Sequence, residues 1–283
     1  MLRLLIIIIS TLLSVNLFAG EFAVSPLVID VDGPKNKRLP FEFTIKAKSA
    51  GDVSLQVYDL KQIETGHMGF VLGEKSDKNS KASWIRLKDN TFSIKTDDFV
   101  VAKGDIRIPS KAKGQHLAAI MVEEAKKESD KKGIDVKVRY AVVLKIDTRN
   151  GKVKKYRTKT MFDGLSYKKV ENGWEFEGYF QNLSKVEGNL VTEMQIRNTN
   201  RKLIGKVELK TLSAWQRSEQ HSMVYPGSRV RIFGTLNEDL DLGTYQIRVK
   251  NRFNDRNQPV FKHDLTLDSK SLDQANGEGN AGS

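Results

Sequence analysis

The chain contains four histidines, the residue type best suited to metal binding and to proton transfer near neutral pH. They are His67, His116, His221 and His263. None is paired with a second histidine or a carboxylate at metal-ligand spacing. The chain also has no cysteine, which excludes disulfides and thiolate metal sites. We therefore expect no metal and no cofactor.

The motifs of common enzyme classes are missing from the sequence. It contains no zinc-protease helix motif, no glycine-rich phosphate loop and no Gly-x-Ser-x-Gly elbow. Ser228 follows Pro226-Gly227 but lacks the second flanking glycine, so it is predicted to be a turn residue. The carboxylate pairs 97–98 and 123–124 are adjacent residues, which point to opposite faces of a strand. The sequence predicts a protein that is not an enzyme.

The most informative pattern is an apolar residue at every second position of segment 134–147. These residues are Val136, Val138, Tyr140, Val142, Leu144 and Ile146. They form one stripe on a strand roughly 40 Å long, at about 3.3 Å per residue. In one interpretation the stripe packs into its own sandwich. In the other, one end overhangs the core and offers its stripe and backbone to another chain.

Short runs of β-branched and aromatic residues provide the elements that position these side chains. Clusters of Gly, Asn, Asp and Lys separate the runs about every ten residues, which is typical of an all-β sandwich. Segment 61–81 is predicted to be a long loop or a loose hairpin, and segment 123–132 a charged loop. The first strands are predicted at 22–31, 39–48, 53–60, 84–87, 91–95, 99–101, 105–108, 115–123 and 134–146.

A second series of runs follows a pause at residues 147–152. Its strands are predicted at 159–168, 174–182, 190–197, 203–212, 220–225, 229–236, 244–251 and 260–267. The sequence thus predicts two immunoglobulin-like β-sandwich domains, at residues 20–148 and 152–268. Residues 269–283 lack periodicity and are expected to form a disordered tail.

The first 19 residues have the features of a cleavable signal peptide. Basic Arg3 precedes an apolar run at 4–13, and small residues follow at Ala19-Gly20, in the order of a secretory signal. The run is shorter than the roughly 20 residues that span a bilayer, so no transmembrane anchor is expected. The sequence predicts export to the periplasm, with the cell surface as an alternative.

The formal net charge of +12 favours anionic neighbours. Outside the cytoplasm these are membrane head groups, acidic polysaccharides or acidic proteins, and nucleic acid is not expected as a partner. The alternative is a basic surface that is merely solvated. Aromatic and basic residues that would serve polysaccharide binding are Trp84, Trp215, Arg217 and Arg229.

Three segments of the first domain resemble periplasmic pilus-assembly chaperones in order and spacing. They are FAVSPLVI at 22–29, FVV at 99–101 with IRIP at 106–109, and VRYAVVL at 138–144. The resemblance implies two immunoglobulin-like sandwiches, the first of which lends its last strand to an incomplete pilus or surface-fibre subunit. The residues expected to bind the partner are Val136, Val138, Arg139, Tyr140, Val142, Leu144 and Lys145.

The chain departs from that family at the residues that anchor a subunit's carboxylate. The family uses an arginine in the first strand and a lysine in the last, whereas segment 22–31 contains neither Arg nor Lys. Lys145 or Arg139 would supply half of the anchor. The expected function is an exported chaperone-like protein that binds or assembles other exported proteins.

A second resemblance leads to an alternative function. The run YPGSRVR at 225–231, followed by LGTY at 242–245, is similar to the second domain of two-domain surface proteins that bind cell-wall-associated partners. It implies a surface adhesin or binding module that recognises anionic polysaccharide or cell-wall partners. Any immunoglobulin-like domain would use the same run at a corner, so the motif predicts the fold and identifies no partner.

Overall fold

The structure is a computed structural model that describes residues 22–73, 80–124, 138–148 and 158–268. Several predictions concern residues outside these ranges. They are the signal peptide, the charged loop beyond residue 124, Val136, the interdomain boundary beyond residue 148 and the tail at 269–283. No helix in the described ranges is long and apolar enough to cross a membrane.

The first domain consists of strands and one short 3-10 helix at Ala82–Trp84. Its strands are β1 Phe22–Ser25, β2 Val28–Asp32, β3 Arg38–Ala47, β4 Gly51–Gln62, β5 Met68–Leu72, β6 Ile85–Leu87, β7 Thr91–Ile94, β8 Phe99–Arg107, β9 Gln115–Glu124 and β10 Arg139–Asp147.

These strands form two sheets around one core. The smaller sheet has the order β1-β3-β8-β6, and the larger has the order β2-β10-β9-β4-β5 with β7 also paired to β4. Every pairing is antiparallel except that of β2 with β10. Alternating side chains of β3, such as Phe41, Phe43 and Ile45, are buried between the sheets. The apolar side chains whose alternation predicted the strands therefore also fill the core.

The second domain repeats this architecture with one short helix. Its elements are β11 Thr160–Val170, β12 Gly173–Asn182, β13 Gly188–Asn198, β14 Leu203–Leu209, α1 Leu212–Gln216, β15 Ser222–Val224, β16 Arg229–Leu236, β17 Gly243–Phe253, β18 Arg256–Asn257 and β19 Phe261–Leu267.

Two sheets again enclose a separate core. One has the order β11-β12-β16, and the other has the order β14-β13-β17-β18 with β15 on β13 and β19 on β17. Their inner faces bury Trp174, Phe176 and Phe180 from β12 against Phe253 of β17 and its neighbours. The all-β fold with two immunoglobulin-like sandwiches is confirmed.

In each domain, the structure differs from one of the predicted strands. Segment 22–31 was expected to be one strand, but the chain changes sheets at Ser25-Pro26, so that β1 pairs with β3 and β2 pairs with β10. In the second domain the predicted strand at 203–212 ends at Leu209. Helix α1 follows it, capped by the Thr211 hydroxyl, which accepts a hydrogen bond from the Ala214 amide at 3.3 Å.

Candidate partner-binding site

The change of sheet at Ser25-Pro26 leaves part of strand β10 without a neighbour. β2 pairs with β10 only from Val143 onward, in the register Val143 to Val28. On its other side β10 pairs with β9 along its whole length, from Arg139 to Asp147. Among the described residues, no strand lies beside 139–142 on the β2 side. This part of β10 is an open edge, and we call it the β10 edge.

The backbone direction of β10 determines which groups the β10 edge offers. The Val143 amide donates to the Leu27 carbonyl at 2.8 Å, so the amide and carbonyl of odd-numbered residues point toward β2. Because these groups alternate sides along a strand, those of Arg139 and Ala141 point out from the β10 edge. Those of Tyr140 and Val142 point toward β9. Within the described ranges, no strand pairs with the outward-pointing backbone groups of these two residues.

The side chains of the predicted partner-binding residues occupy different environments. Val142 and Leu144 are fully buried in the core of the first domain. Tyr140 is half-buried, with its ring 5.3 Å from that of Phe22, and Val138 is half-buried. The interpretation in which the stripe packs into its own sandwich thus describes Val142 and Leu144. The prediction that side chains are offered to a partner now concerns only Val138 and Tyr140.

The two charged residues of the prediction lie on the outer face of the same sheet, at opposite ends of β10. Arg139 forms an ion pair with Glu123 of β9 at 3.3 Å. Lys145 points to the second domain and forms an ion pair with Glu187 at 3.7 Å. Only Lys145 lies in the space between the domains.

That space is a cleft with two adjoining lobes. One lobe has a volume of about 240 Å³ and the other about 360 Å³. Both are lined by β9 at residues 115–117 and by Tyr225-Pro226 of the second domain. The smaller lobe also holds Lys145. Its remaining charged lining is acidic, from Asp30, Asp32, Asp147 and Glu187. The smaller lobe therefore differs from a pocket built to take a carboxylate with two cations, whereas the larger lobe is lined by Lys61, Lys81 and Arg229.

His116 lines both lobes of the cleft. The pKa of His116 is lowered from 6.5 to about 4, chiefly by burial and also by the nearby Lys81 and Lys185, while Asp147 opposes the shift. Its Nε2 is buried and has no hydrogen-bond partner among the described residues. The ring packs edge-on against Trp84 at 4.8 Å. His116 is neutral at neutral pH and acts as a packing residue of the cleft wall.

The turn between β4 and β5, residues 62–67, inserts into the second domain, and we call it the hairpin tip. The Gln62 side-chain Nε2 donates to the Met223 carbonyl at 2.8 Å, and the Gln62 side-chain oxygen accepts from the Tyr225 backbone amide at 3.0 Å. The Glu64 carbonyl accepts from the Arg231 amide at 2.8 Å, and the Thr65 carbonyl accepts from the Ser213 amide at 3.0 Å. Four hydrogen bonds thus hold the hairpin tip in place.

A second contact closes the other end of the cleft. The Gln115 amide donates to the Lys185 carbonyl at 2.9 Å, and the Gln115 side-chain oxygen accepts from the Glu187 amide at 2.7 Å. Gly114 has a φ of +88°, and a Cβ there would lie 2.2 Å from the Lys185 carbonyl oxygen. Only glycine meets both conditions without strain.

The residues considered for polysaccharide binding are dispersed. Trp84 packs against the core of the first domain. Arg229 stacks on Tyr179 at 3.6 Å and pairs with Glu64 and Asp163. Trp215 is 38% exposed and lies on α1 in the second domain. Trp84 therefore lies in the first domain, whereas Trp215 and Arg217, at the end of α1, and Arg229 lie in the second.

The residues that join the domains were not predicted from the sequence. They are Gln62, Glu64, Thr65, Gln115, Glu187 and Tyr225. The hairpin tip lies in a segment predicted to be a long loop or a loose hairpin, with Gly66, Gly69 and Gly73 among its turn signals. Backbone carbonyls and amides make most of the contacts, and these leave no pattern in side-chain type. A spacing rule based on side chains could not have found them.

No protein-family model matches this chain, and no curated protein matches it. Solved structures of fimbrial chaperones are similar to it. One, from a chaperone–tip adhesin complex of CFA/I fimbriae biogenesis, is 10% identical with a TM-score of 0.47, covering 88% of this chain and 100% of that chain. The class 5 fimbriae chaperone CfaA is 9% identical with a TM-score of 0.44, covering 87% and 99%.

A third structure, the CsuC–CsuE chaperone and tip subunit complex from archaic chaperone-usher pili of Acinetobacter baumannii, is 10% identical with a TM-score of 0.41, covering 75% of this chain and 89% of that chain. These are proteins of the kind that residues 22–147 resemble in sequence. The strand order and the contacts between strands and between domains define the fold of this chain. Its proposed function rests on the β10 edge.

Proposed function

We propose that this protein is an exported, non-enzymatic chaperone-like protein that binds other exported proteins, such as pilus or surface-fibre subunits, by pairing with an unfinished strand. The observation that supports the proposal is the β10 edge. There a strand that β9 holds in place offers the amides and carbonyls of Arg139 and Ala141 to an incoming chain. Unpaired strand edges are ready templates for strand addition.

The partner's strand would lie beside residues 138–142 and end where β2 begins. Val28 of β2 occupies the position beside Val143, so the pairing cannot extend further along β10. Each backbone hydrogen bond would contribute about 0.5–1.5 kcal/mol net. The half-buried side chains of Val138 and Tyr140 would lie at the rim of the core, where the partner's apolar residues can cover them.

A proline substitution at the β10 edge tests the proposal. Ala141→Pro removes an amide that points away from β9, so the pairing of β10 with β9 is retained, and proline is tolerated at such edge positions. We expect the variant to fold and to lose its partners. Ala141→Val keeps the amide and is the matched control, which should retain them.

Site-specific cross-linking identifies the partner in the same experiment. A photo-reactive residue placed at position 139 should capture exported proteins with a strand that lacks a neighbour, and the same residue at the exposed Lys46 of β3 should not. Equal capture at both positions, or full capture by a folded Ala141→Pro variant, would show that the β10 edge is not the binding surface.

The export part of the proposal has its own test. The mature protein should begin after Ala19 or Gly20, as determined by sequencing the N-terminus of protein recovered from the exported fraction. A product that retains Met1 in the cytoplasmic fraction would contradict export and leave the binding proposal to be tested in that compartment.

A further inference from the structure

The outer face of the larger sheet of the second domain carries an array of cations, which we call the cationic face. Outward-facing positions alternate with core positions along β13 and β17, and the strand register aligns the outward side chains in rows across the sheet. One row runs Lys206, Gln195, Arg248 and Lys262, each opposite the next. The other cations of the face are Arg197, Lys250 and Arg252.

The centre of the cationic face places two like charges opposite each other. Arg248 of β17 is paired in register with Lys262 of β19, and side chains in such positions have Cβ atoms roughly 4.5–5.5 Å apart. Like charges at that separation destabilise a sheet. Within the described part of the chain, no carboxylate forms an ion pair with Arg248 or Lys262. The fold alone gives no reason for this arrangement.

Arg248 and Arg197 differ in how their guanidinium groups are engaged. The Nε of Arg248 and the Nε of Arg197 are buried and lack a hydrogen-bond partner among the described residues. Arg197 uses its terminal nitrogens to donate to the Arg201 carbonyl at 2.9 Å and to the Gln195 side-chain oxygen at 3.1 Å. The buried Nε atoms cannot reach a ligand outside the sheet, so the terminal guanidinium nitrogens of Arg248 are the donors that a phosphate oxygen would meet.

Carboxylates compensate only part of this charge. Glu193 pairs with Lys206 at 3.5 Å, and Arg252 pairs with Asp255 at 3.9 Å. Outward-facing Glu208 and Asp264 are also on this side of the sheet. The six cations outnumber the outward carboxylates of these strands, and the excess is concentrated around Arg248 and Lys262.

We propose that the cationic face binds the anionic head groups of a phospholipid bilayer. Its cations are distributed over β13, β14, β17 and β19 in two dimensions, so a planar array of phosphates meets more of them than a linear polyanion would. Leu203, which is 38% exposed, lies opposite Arg197 at the margin, where an apolar side chain can contact the interface.

This inference is independent of the proposed function. The β10 edge belongs to the first domain, whereas the cationic face belongs to the larger sheet of the second. A protein bound to a bilayer through the cationic face would therefore keep the β10 edge uncovered by that contact. Failure of either proposal would leave the other standing.

Vesicle sedimentation with the full mature chain tests the inference. The wild type should bind vesicles of phosphatidylglycerol and phosphatidylcholine at low salt, and should not bind vesicles of phosphatidylcholine alone. The double variant Arg248→Gln/Lys262→Gln should lose affinity by about 30-fold, since each charge near an anionic surface contributes roughly fivefold. Binding should also fall as salt is raised.

A second double variant controls for net charge. Lys46→Gln/Lys95→Gln removes the same charge from exposed positions of the first domain and should bind nearly as the wild type does. Equal losses in the two variants would overturn the proposal, because net charge alone would then explain binding. The proposal is also overturned if the chain does not bind anionic vesicles but binds soluble polyglutamate through Arg248 and Lys262. That result would indicate an acidic protein partner.

Discussion

His116 makes the stability of the folded chain depend on pH. Its pKa in the folded chain, about 4, lies below the ordinary value of 6.5, so the unfolded chain binds a proton more readily between these values. Stability that is present above pH 6.5 is therefore lost as the pH falls toward 4. Because the His116 ring is partly exposed, the free energy of unfolding should fall by only about 1–2 kcal/mol over this range.

Urea unfolding at pH 7 and at pH 4 measures this contribution. His116→Leu removes the titrating group and keeps an apolar contact with Trp84, so its stability should fall less between the two pH values than that of the wild type. His263→Gln removes an exposed histidine, keeps His116 and should retain the wild-type fall. An identical pH dependence for wild type and His116→Leu would refute the assignment.

Gly114 is a residue whose backbone and surroundings both require glycine. With a φ of +88° and the Lys185 carbonyl oxygen 2.2 Å from the position of a Cβ, Gly114→Ala should destabilise the protein by about 2–4 kcal/mol. Gly227→Ala is the matched control, because Gly227 has a φ of +78° and nothing within 4 Å of the position of a Cβ. It should cost only about 1–2 kcal/mol. Chemical denaturation gives both values, and equal losses would contradict the role of the Lys185 contact.

At the scale of elements, the hairpin of β4 and β5 joins the domains through Gln62. Its side chain donates to the Gly66 and Met223 carbonyls and accepts from the Tyr225 amide. Gln62→Leu removes these bonds and leaves a partly buried amide unpaired, which should cost roughly 2–3 kcal/mol. Gln56→Leu, an exposed change on the same strand, should cost less than 1 kcal/mol. Similar losses for the two variants would argue against the role of Gln62.

The sequence predicted the strands well because their side chains alternate between core and solvent. β3, β12, β13 and β17 lie within three residues of the predicted bounds, since each carries a buried residue at every second position over most of its length. β9 was predicted as closely although it is buried on both faces over residues 118–122. Period two also located β10. It could not show which half of β10 has a neighbour, because that depends on where the chain changes sheets at Ser25-Pro26.

The candidate site was harder to predict than the strands that carry it. Val142 and Val138 have the same residue type and the same face, and yet one is fully buried and the other half-buried. The difference arises from how far the two sheets extend over β10, which no local pattern records. Helix α1 was missed for a related reason, since its five residues are too few to show a helical period.

At the scale of the whole molecule, the two sandwiches are joined at both ends of the cleft. The hairpin tip contacts the second domain at one end, and Gln115 and Gly114 contact residues 185–187 at the other. Two separated contacts restrain rotation about either one. These contacts therefore restrain the β10 edge relative to the cleft, so that a strand bound as we propose at residues 138–142 would approach the second domain from one direction.

Gly66→Ala should loosen this relation while leaving each sandwich folded. Gly66 has a φ of +85°, and a Cβ there would lie 2.5 Å from the Ser213 hydroxyl and 2.7 Å from Thr211, so the hairpin tip must withdraw. Neither core contains Gly66. We expect calorimetry to show one transition for the wild type and two for the variant, because domains that no longer contact each other unfold separately.

Solution scattering and a second glycine distinguish this outcome from general destabilisation. The radius of gyration of Gly66→Ala should increase at temperatures where both domains remain folded, since the cleft opens. Gly243→Ala also has a positive φ, of +153°, but nothing lies within 4 Å of the position of a Cβ; it should lower the stability of the second domain and leave the radius unchanged. If Gly66→Ala keeps the wild-type radius and a single transition, the hairpin tip does not set the angle between the domains, and the contact at residues 185–187 is sufficient to hold it.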